Sequence, residues 1–133
     1  MNTKLFINLP AADLPRASAF WQALGYGLDP QFKGEACACV ILSEEILMML
    51  MTHESFLKFS PNGICDTTQA NEVLFCLCCD SRQKVDELVA KAVAAGGKVF
   101  EEAEDHGFMY THSFIDPDGH GWGLAFMNAT PPN

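Results

Sequence analysis

Residues 113–127 read SFIDPDGHGWGLAFM. Asp116-Pro117-Asp118-Gly119 is a turn: proline presets one backbone angle, aspartate bonds its own backbone, and glycine accepts a positive φ. The run Met109 to Ile115 before it reads as a strand, and so does the run Gly121 to Met127 after it. A strand, a tight turn and a strand make an antiparallel hairpin. One position breaks the pattern. Gly123 lies inside the second strand, where a side chain normally packs, and glycine there marks room for another group to approach the backbone.

Upstream of the hairpin, Val73-Leu74-Phe75-Cys76-Leu77 alternates as a strand. Ser81 can cap a helix whose apolar stripe is Val85, Leu88, Val89, Ala92 and Val93, and Gly96-Gly97 ends it. Val99-Phe100 reads as a further short strand. The first half of the chain runs in the same order. Leu5 to Leu9 alternates, with Leu5, Ile7 and Leu9 on one face and Phe6 and Asn8 on the other. Asp13 is a helix cap with Pro15 in the first turn, and Leu14, Ala17, Phe20, Trp21 and Leu24 follow at helical spacing up to Gly25. Ala36 to Leu42 and Ile46 to Met51 are two strands joined by Ser43-Glu44-Glu45, and HESFLKF after them is a short helix.

The chain therefore contains one module twice. Module one covers about residues 1–60, a polar linker 60–71, and module two about 72–128. Each module is too small to bury a large core alone, so 1–133 is expected to be a single domain. The fold class is α+β, with strand, helix, then strands in each half.

Net charge is −9 and the eight basic residues are scattered from Lys4 to Lys98, Lys33 among them. No basic stripe exists for a phosphate backbone, so nucleic acid is not an expected partner. No apolar run reaches the roughly 20 residues of a membrane span, and MNTKLFINLPAAD lacks the apolar core of a signal peptide. A cytoplasmic protein with six free thiols is expected. Cys76 and Cys79 have redox-pair spacing, but an offset of three on a strand sends them to opposite faces.

Three stretches carry a resemblance. NLPAADLPRASAFWQALGY (8–26), KAVAAGGKV (91–99) and SFIDPDGHGWGLAFM (113–127) resemble the glyoxalase/bleomycin-resistance/dioxygenase group, the vicinal oxygen chelate superfamily. EDHGFMYTHSF (104–114) resembles a branch labelled predicted lactoylglutathione lyase. The resemblance implies two βαβββ modules whose strands form a curved mixed sheet around a pocket, with the helices outside and a homodimer as the assembly. It also implies a metal held by four side chains, one from the first and one from the last strand of each module. Carried over, those positions fall on Phe6, near Met49, on Leu74 and on Gly123. None suits a hard divalent cation, since a thioether is soft and the others offer no side-chain donor. No metal and no other cofactor is expected.

The inward face then comprises Phe6, Asn8, Met49, Met51, Leu74, Cys76, Gly123 and Ala125. It is mostly apolar, which fits either a small-molecule pocket or a side-chain-filled cup. His106 and Tyr110 are the polar candidates at its mouth. His120 reads as a turn residue bonding locally, and His106 with His112 lacks a third metal ligand. The expected function is binding of a small, mostly apolar molecule without metal, as in resistance or sequestration. The alternative is a family enzyme, a lactoylglutathione lyase or a dioxygenase, working through a non-standard site.

Overall fold

The computed structural model describes residues 3–32 and 34–128. Lys33, one of the scattered basic residues, and the first two residues of the N-terminal stretch lie outside the described residues. The chain divides into two compact units, Met1–Asp66 and Thr67–Asn133, so the boundary falls within the linker read from the sequence.

In the first unit, strand β1 (Leu5–Ala11) leads into helix α1 (Leu14–Ala23). Asp13 caps the helix by accepting a bond from the Arg16 amide at 3.0 Å, and Gly25 leaves it with φ 103°. Strand β2 (Gly27–Leu28), a single 3-10 turn Pro30–Phe32, then β3 (Cys37–Ile41), β4 (Ile46–Thr52) and the short helix α2 (His53–Leu57) follow. The sheet order is β1-β4-β3-β2, with β1 parallel to β4 and the other pairs antiparallel. One sheet face carries Leu9, Ala11, Val40, Met48 and Leu50, all buried. These sit on the side of α1, which contacts β3 and β4 and buries Leu14, Ala17, Phe20 and Trp21. Each of the leucine, valine, methionine and phenylalanine side chains among them contributes roughly 1.5–3 kcal/mol of burial.

The second unit repeats this plan with β5 (Leu74–Cys78), α3 (Arg82–Ala94), β6 (Glu104–Asp105), β7 (Met109–Ile115) and β8 (Gly121–Met127). Its sheet order is β5-β8-β7-β6, again with the first pair parallel. Ser81 caps α3 by accepting from the Lys84 amide at 3.0 Å. Trp122 lies stacked between Phe75, at 4.5 Å, and Phe114, at 6.5 Å. Both Trp122 and Phe114 are fully buried, on the face where α3 contributes Val85, Leu88, Val89 and Ala92.

The α+β architecture of two βαβββ modules is thus present, with each module carrying its own four-stranded mixed sheet. Two details differ from the sequence reading. Val99-Phe100 is not a strand: only an isolated bridge, Lys98 to Ile115, forms there, and the strand lies later, at Glu104–Asp105. Strand β2 had no visible signature because two residues are too few to alternate. Among the described residues no helix is long and apolar enough to cross a membrane.

Candidate functional site

Strand register sorts the candidate residues. In module one, Asn8 lies opposite Met49 and Phe6 opposite Leu47 across the parallel pair. Across β3 and β4, Cys39 lies opposite Met49 and Cys37 opposite Met51. Phe6, Asn8, Met49 and Met51 therefore share the face turned away from α1. That face is partly filled. Cys39, Leu47, Met49 and Met51 form a buried cluster, with Phe32, Cys37 and Phe56 packed against it. Phe32 comes from the 3-10 turn and Phe56 from α2. Met49 and Met51 are each only 8% exposed, so they line little open space. Phe6 stays exposed, edge-on to Phe32 at 6.4 Å and with Lys4 Nζ 5.8 Å from its ring centre. Asn8 is exposed too.

The open space in module one is a cavity of about 340 Å³ at the edge of β3. It exists because β2 pairs with β3 for only two residues. The chain then peels away through the turn at Pro30–Phe32, leaving a gap beside the start of α1. Leu14, Pro15, Leu28, Phe32 and Ala38 make its walls mainly apolar, while Ser18, Asp29, Glu35, Cys37 and Cys39 add polar atoms. Asp29 is partly engaged, accepting from the Gln31 amide at 2.9 Å. The sequence reading missed this cavity. The signal for it was DPQF at 29–32, a turn placed directly after an apolar residue.

In module two, Leu74, Cys76, Gly123 and Ala125 share a face: Cys76 lies opposite Gly123 and Leu74 opposite Gly121. Leu74 is 66% exposed and leans over Gly121, where an added Cβ would come within 2.8 Å of it. At Gly123 the added Cβ would meet only ordinary contacts, 3.5 Å to the Phe75 carbonyl oxygen and 3.8 Å to Cys76 Sγ. Glycine here leaves a small unfilled notch.

Tyr110 does not belong to that face. It pairs with Phe126, out of phase with Gly123 and Ala125, and its hydroxyl donates to Asp86 on α3 at 2.7 Å. The Arg82 guanidinium lies 5.1 Å from its ring centre and also meets Asp105 at 2.8 Å. The Asp86 bond holds the phenol proton and raises the Tyr110 pKa above its usual value. Tyr110 was expected near a pocket mouth; strand alternation and the helix bond turn it to the helix side instead.

His106 sits on an exposed turn, its Nε2 3.2 Å from Glu104. His112 Nδ1 lies 3.0 Å from the Glu101 carbonyl oxygen. Among the described residues, no group of three or more His, Cys, Asp or Glu is placed to hold a metal. The four family positions fit a hard cation no better: Phe6, Leu74 and Gly123 have no donor, and Met49 is a buried thioether. Cys39, Cys76 and Cys79 do not read as nucleophiles either. Burial pushes Cys39, Cys76 and Cys79 upward, the reverse of an activated thiolate.

His120 lies in the closing turn, as expected, but the hub of that turn is Asp116. Its carboxylate accepts from the Asp118 and His120 amides at 2.9 and 3.0 Å and from Trp122 Nε1 at 3.1 Å. Burial raises its pKa despite these donors. Thr67 and Asn71 from the linker bond the same turn, at the Asp118 and Gly119 carbonyls. This constellation fixes the hairpin that presents Gly123, and its acid is consumed by structural bonds.

A family model described as Glyoxalase-like domain matches residues 4–125. Among solved structures, a hypothetical protein from S. aureus is 26% identical with a TM-score of 0.79, covering 95% of each chain. A glyoxalase-related enzyme from Fulvimarina pelagi is 20% identical with a TM-score of 0.78, covering 100% of this chain and 94% of its own. A protein named lactoylglutathione lyase from Agrobacterium tumefaciens is 18% identical with a TM-score of 0.69, covering 95% and 94%. No curated protein matches the chain significantly.

Proposed function

The chain belongs to the glyoxalase-like domain family, and from that premise we propose that it binds a small, mostly apolar molecule without a divalent metal. The observation that carries this reading is the cavity of about 340 Å³ in module one, with its mainly apolar walls. That volume lies at the lower end of small-molecule pockets, which span roughly 300–1,000 Å³. It suits a ligand of one or two rings. Ser18, Asp29 and Glu35 supply the few polar atoms that orient a ligand. The exposed Phe6, Asn8, Leu74, Cys76 and His106, and the notch at Gly123, are further contact candidates on the two modules.

The family's metal chemistry is not part of the proposal, because the carried-over positions offer no donor suited to a hard divalent cation. Only two arginines, Arg16 and Arg82, are present, and Arg82 is engaged by Asp105. A glutathione conjugate carries carboxylates that call for cationic partners, so a resistance or sequestration role is preferred to lyase activity. We place the protein in the cytoplasm as a homodimer.

The test is thermal unfolding against a panel of uncharged one- and two-ring aromatic compounds. A ligand at a hundredfold excess over its Kd adds about 2.7 kcal/mol to the folded state. That raises Tm by roughly 8 °C for a domain of this size. Ser18→Trp, on the half-buried cavity wall, fills the space and abolishes the rise. A panel that leaves Tm unmoved, or a rise that Ser18→Trp leaves intact, overturns the reading.

A further inference from the structure

We propose that the four sulfur atoms of Cys37, Cys39, Met49 and Met51 form a copper(I) site on the strand face of module one. Cys37 lies opposite Met51 and Cys39 opposite Met49 in the antiparallel β3–β4 pair. Residues two apart on a strand share a face, so all four side chains leave the sheet on the same side. Opposite Cβ atoms stand about 5 Å apart, and same-face neighbours on one strand about 7 Å apart. Two thiols and two thioethers thus stand at the corners of a small rectangle. The flexible methionine stems let their sulfurs converge above it. The side chains already touch: Cys39, Met49 and Met51 are in one buried cluster, with Cys37 packed against it.

The donor set selects the ion. Thiolate and thioether sulfur suit soft copper(I), whereas magnesium, manganese and iron(II) call for oxygen or imidazole ligands that this face lacks. Binding is ligand exchange without redox change. Copper(I) displaces the Cys37 and Cys39 protons to solvent, forms two Cu–thiolate bonds, and accepts neutral thioether donation from Met49 and Met51. Leu47, Phe32 and Phe56 pack around the set, keeping water from the ion.

Cys37 and Cys39 are among the residues lining the module-one cavity, together with Asp29 and Glu35. The two thiols on β5 of module two provide an internal contrast. Cys76 and Cys78 lie opposite Gly123 and Ala125, with no sulfur facing them. The proposal is independent of the small-molecule reading, and of the four family metal positions it uses only Met49.

The test is anaerobic competition of the full chain against the copper(I)–bicinchoninate complex, followed by X-ray absorption at the copper edge. The expected result is removal of one equivalent of copper(I) with sulfur-only coordination. Cys37→Ser with Cys39→Ser abolishes uptake. Met49→Leu with Met51→Leu, which keeps side-chain volume and the fold, weakens it by roughly tenfold or more as two soft donors are lost. Cys76→Ser with Cys78→Ser changes nothing. Should the double serine variant fail to fold by circular dichroism, the leucine pair carries the test alone. Failure of the wild type to take copper, loss of uptake in the Cys76/Cys78 variant, or unchanged affinity in the leucine pair overturns the proposal.

Discussion

Gly123→Ala tests whether the gap in the last strand is room or backbone necessity. Gly123 is not among the positive-φ glycines, so alanine meets no conformational penalty there. Its Cβ would lie 3.5 Å from the Phe75 carbonyl oxygen and 3.8 Å from Cys76 Sγ, both ordinary contacts. The substitution removes the entropic cost of a glycine in a strand interior, about 0.5–1 kcal/mol. The prediction is therefore a stabilisation of about 0.5–1 kcal/mol in urea unfolding, with the m-value unchanged. Gly119→Ala in the same hairpin supplies the contrast. Gly119 has φ 87°, and an added Cβ would strike the Thr67 hydroxyl, which donates to the Asp118 carbonyl. Left-handed strain of about 1–2 kcal/mol and a lost bond of about 1 kcal/mol together predict a loss of roughly 2–3 kcal/mol. If Gly123→Ala destabilised by more than about 1 kcal/mol, the notch would not be open, and the reasoning about that face would be wrong.

Three further outcomes follow from the buried and bonded acids. Asp116→Ala removes the acceptor of two turn amides and of Trp122 Nε1; at about 1–3 kcal/mol per buried donor stranded, urea unfolding should show a loss of roughly 3–5 kcal/mol, while a loss below about 1 kcal/mol would refute the hub. Because burial raises the Asp116 pKa, its folded form holds the proton longer than the unfolded chain. Its contribution to stability is therefore greatest below the unfolded value and declines as pH rises through the folded one. In a tyrosinate titration Tyr110 should ionise above the usual range because of its bond to Asp86, and Asp86→Ala should return it toward that range. Its stabilising contribution is complete below the unfolded pKa and is lost as pH climbs through the raised folded pKa; an unmoved titration in Asp86→Ala would discount the bond.

Much of the fold is legible in the sequence because its signals are local. Asp13 and Ser81 announce both helices by cap chemistry, and the glycines at 25 and 96 end them with positive φ. The alternation of Leu5 to Leu9 and of Leu74 to Cys78 fixes two first strands. Strands β2 and β6, of two residues each, are below the length at which alternation exists. The site is less legible because it depends on contacts between distant elements. Nothing near Met49 reveals that Phe32 and Phe56 cover it. Alternation separated Tyr110 from Thr111, but only the packing of Trp122 and Phe114 and the bond to Asp86 identify which set faces the helix. The cavity follows from where β2 leaves β3, a tertiary event. The opposition of Cys37 to Met51 and of Cys39 to Met49 needs the register of β3 on β4, which the turn at Ser43 sets through its bonds to the Glu45 and Ile46 amides.

The central claim is ligand binding that needs no divalent metal. Its most direct test is isothermal titration of the best compound from the aromatic panel into two samples of the same protein. One is treated with chelator, and the other is incubated with nickel or manganese and desalted. The account predicts the same Kd in both. A Kd that tightens by about tenfold or more, or 1.4 kcal/mol, in the metal-treated sample would contradict it and would return the protein to metal-dependent chemistry.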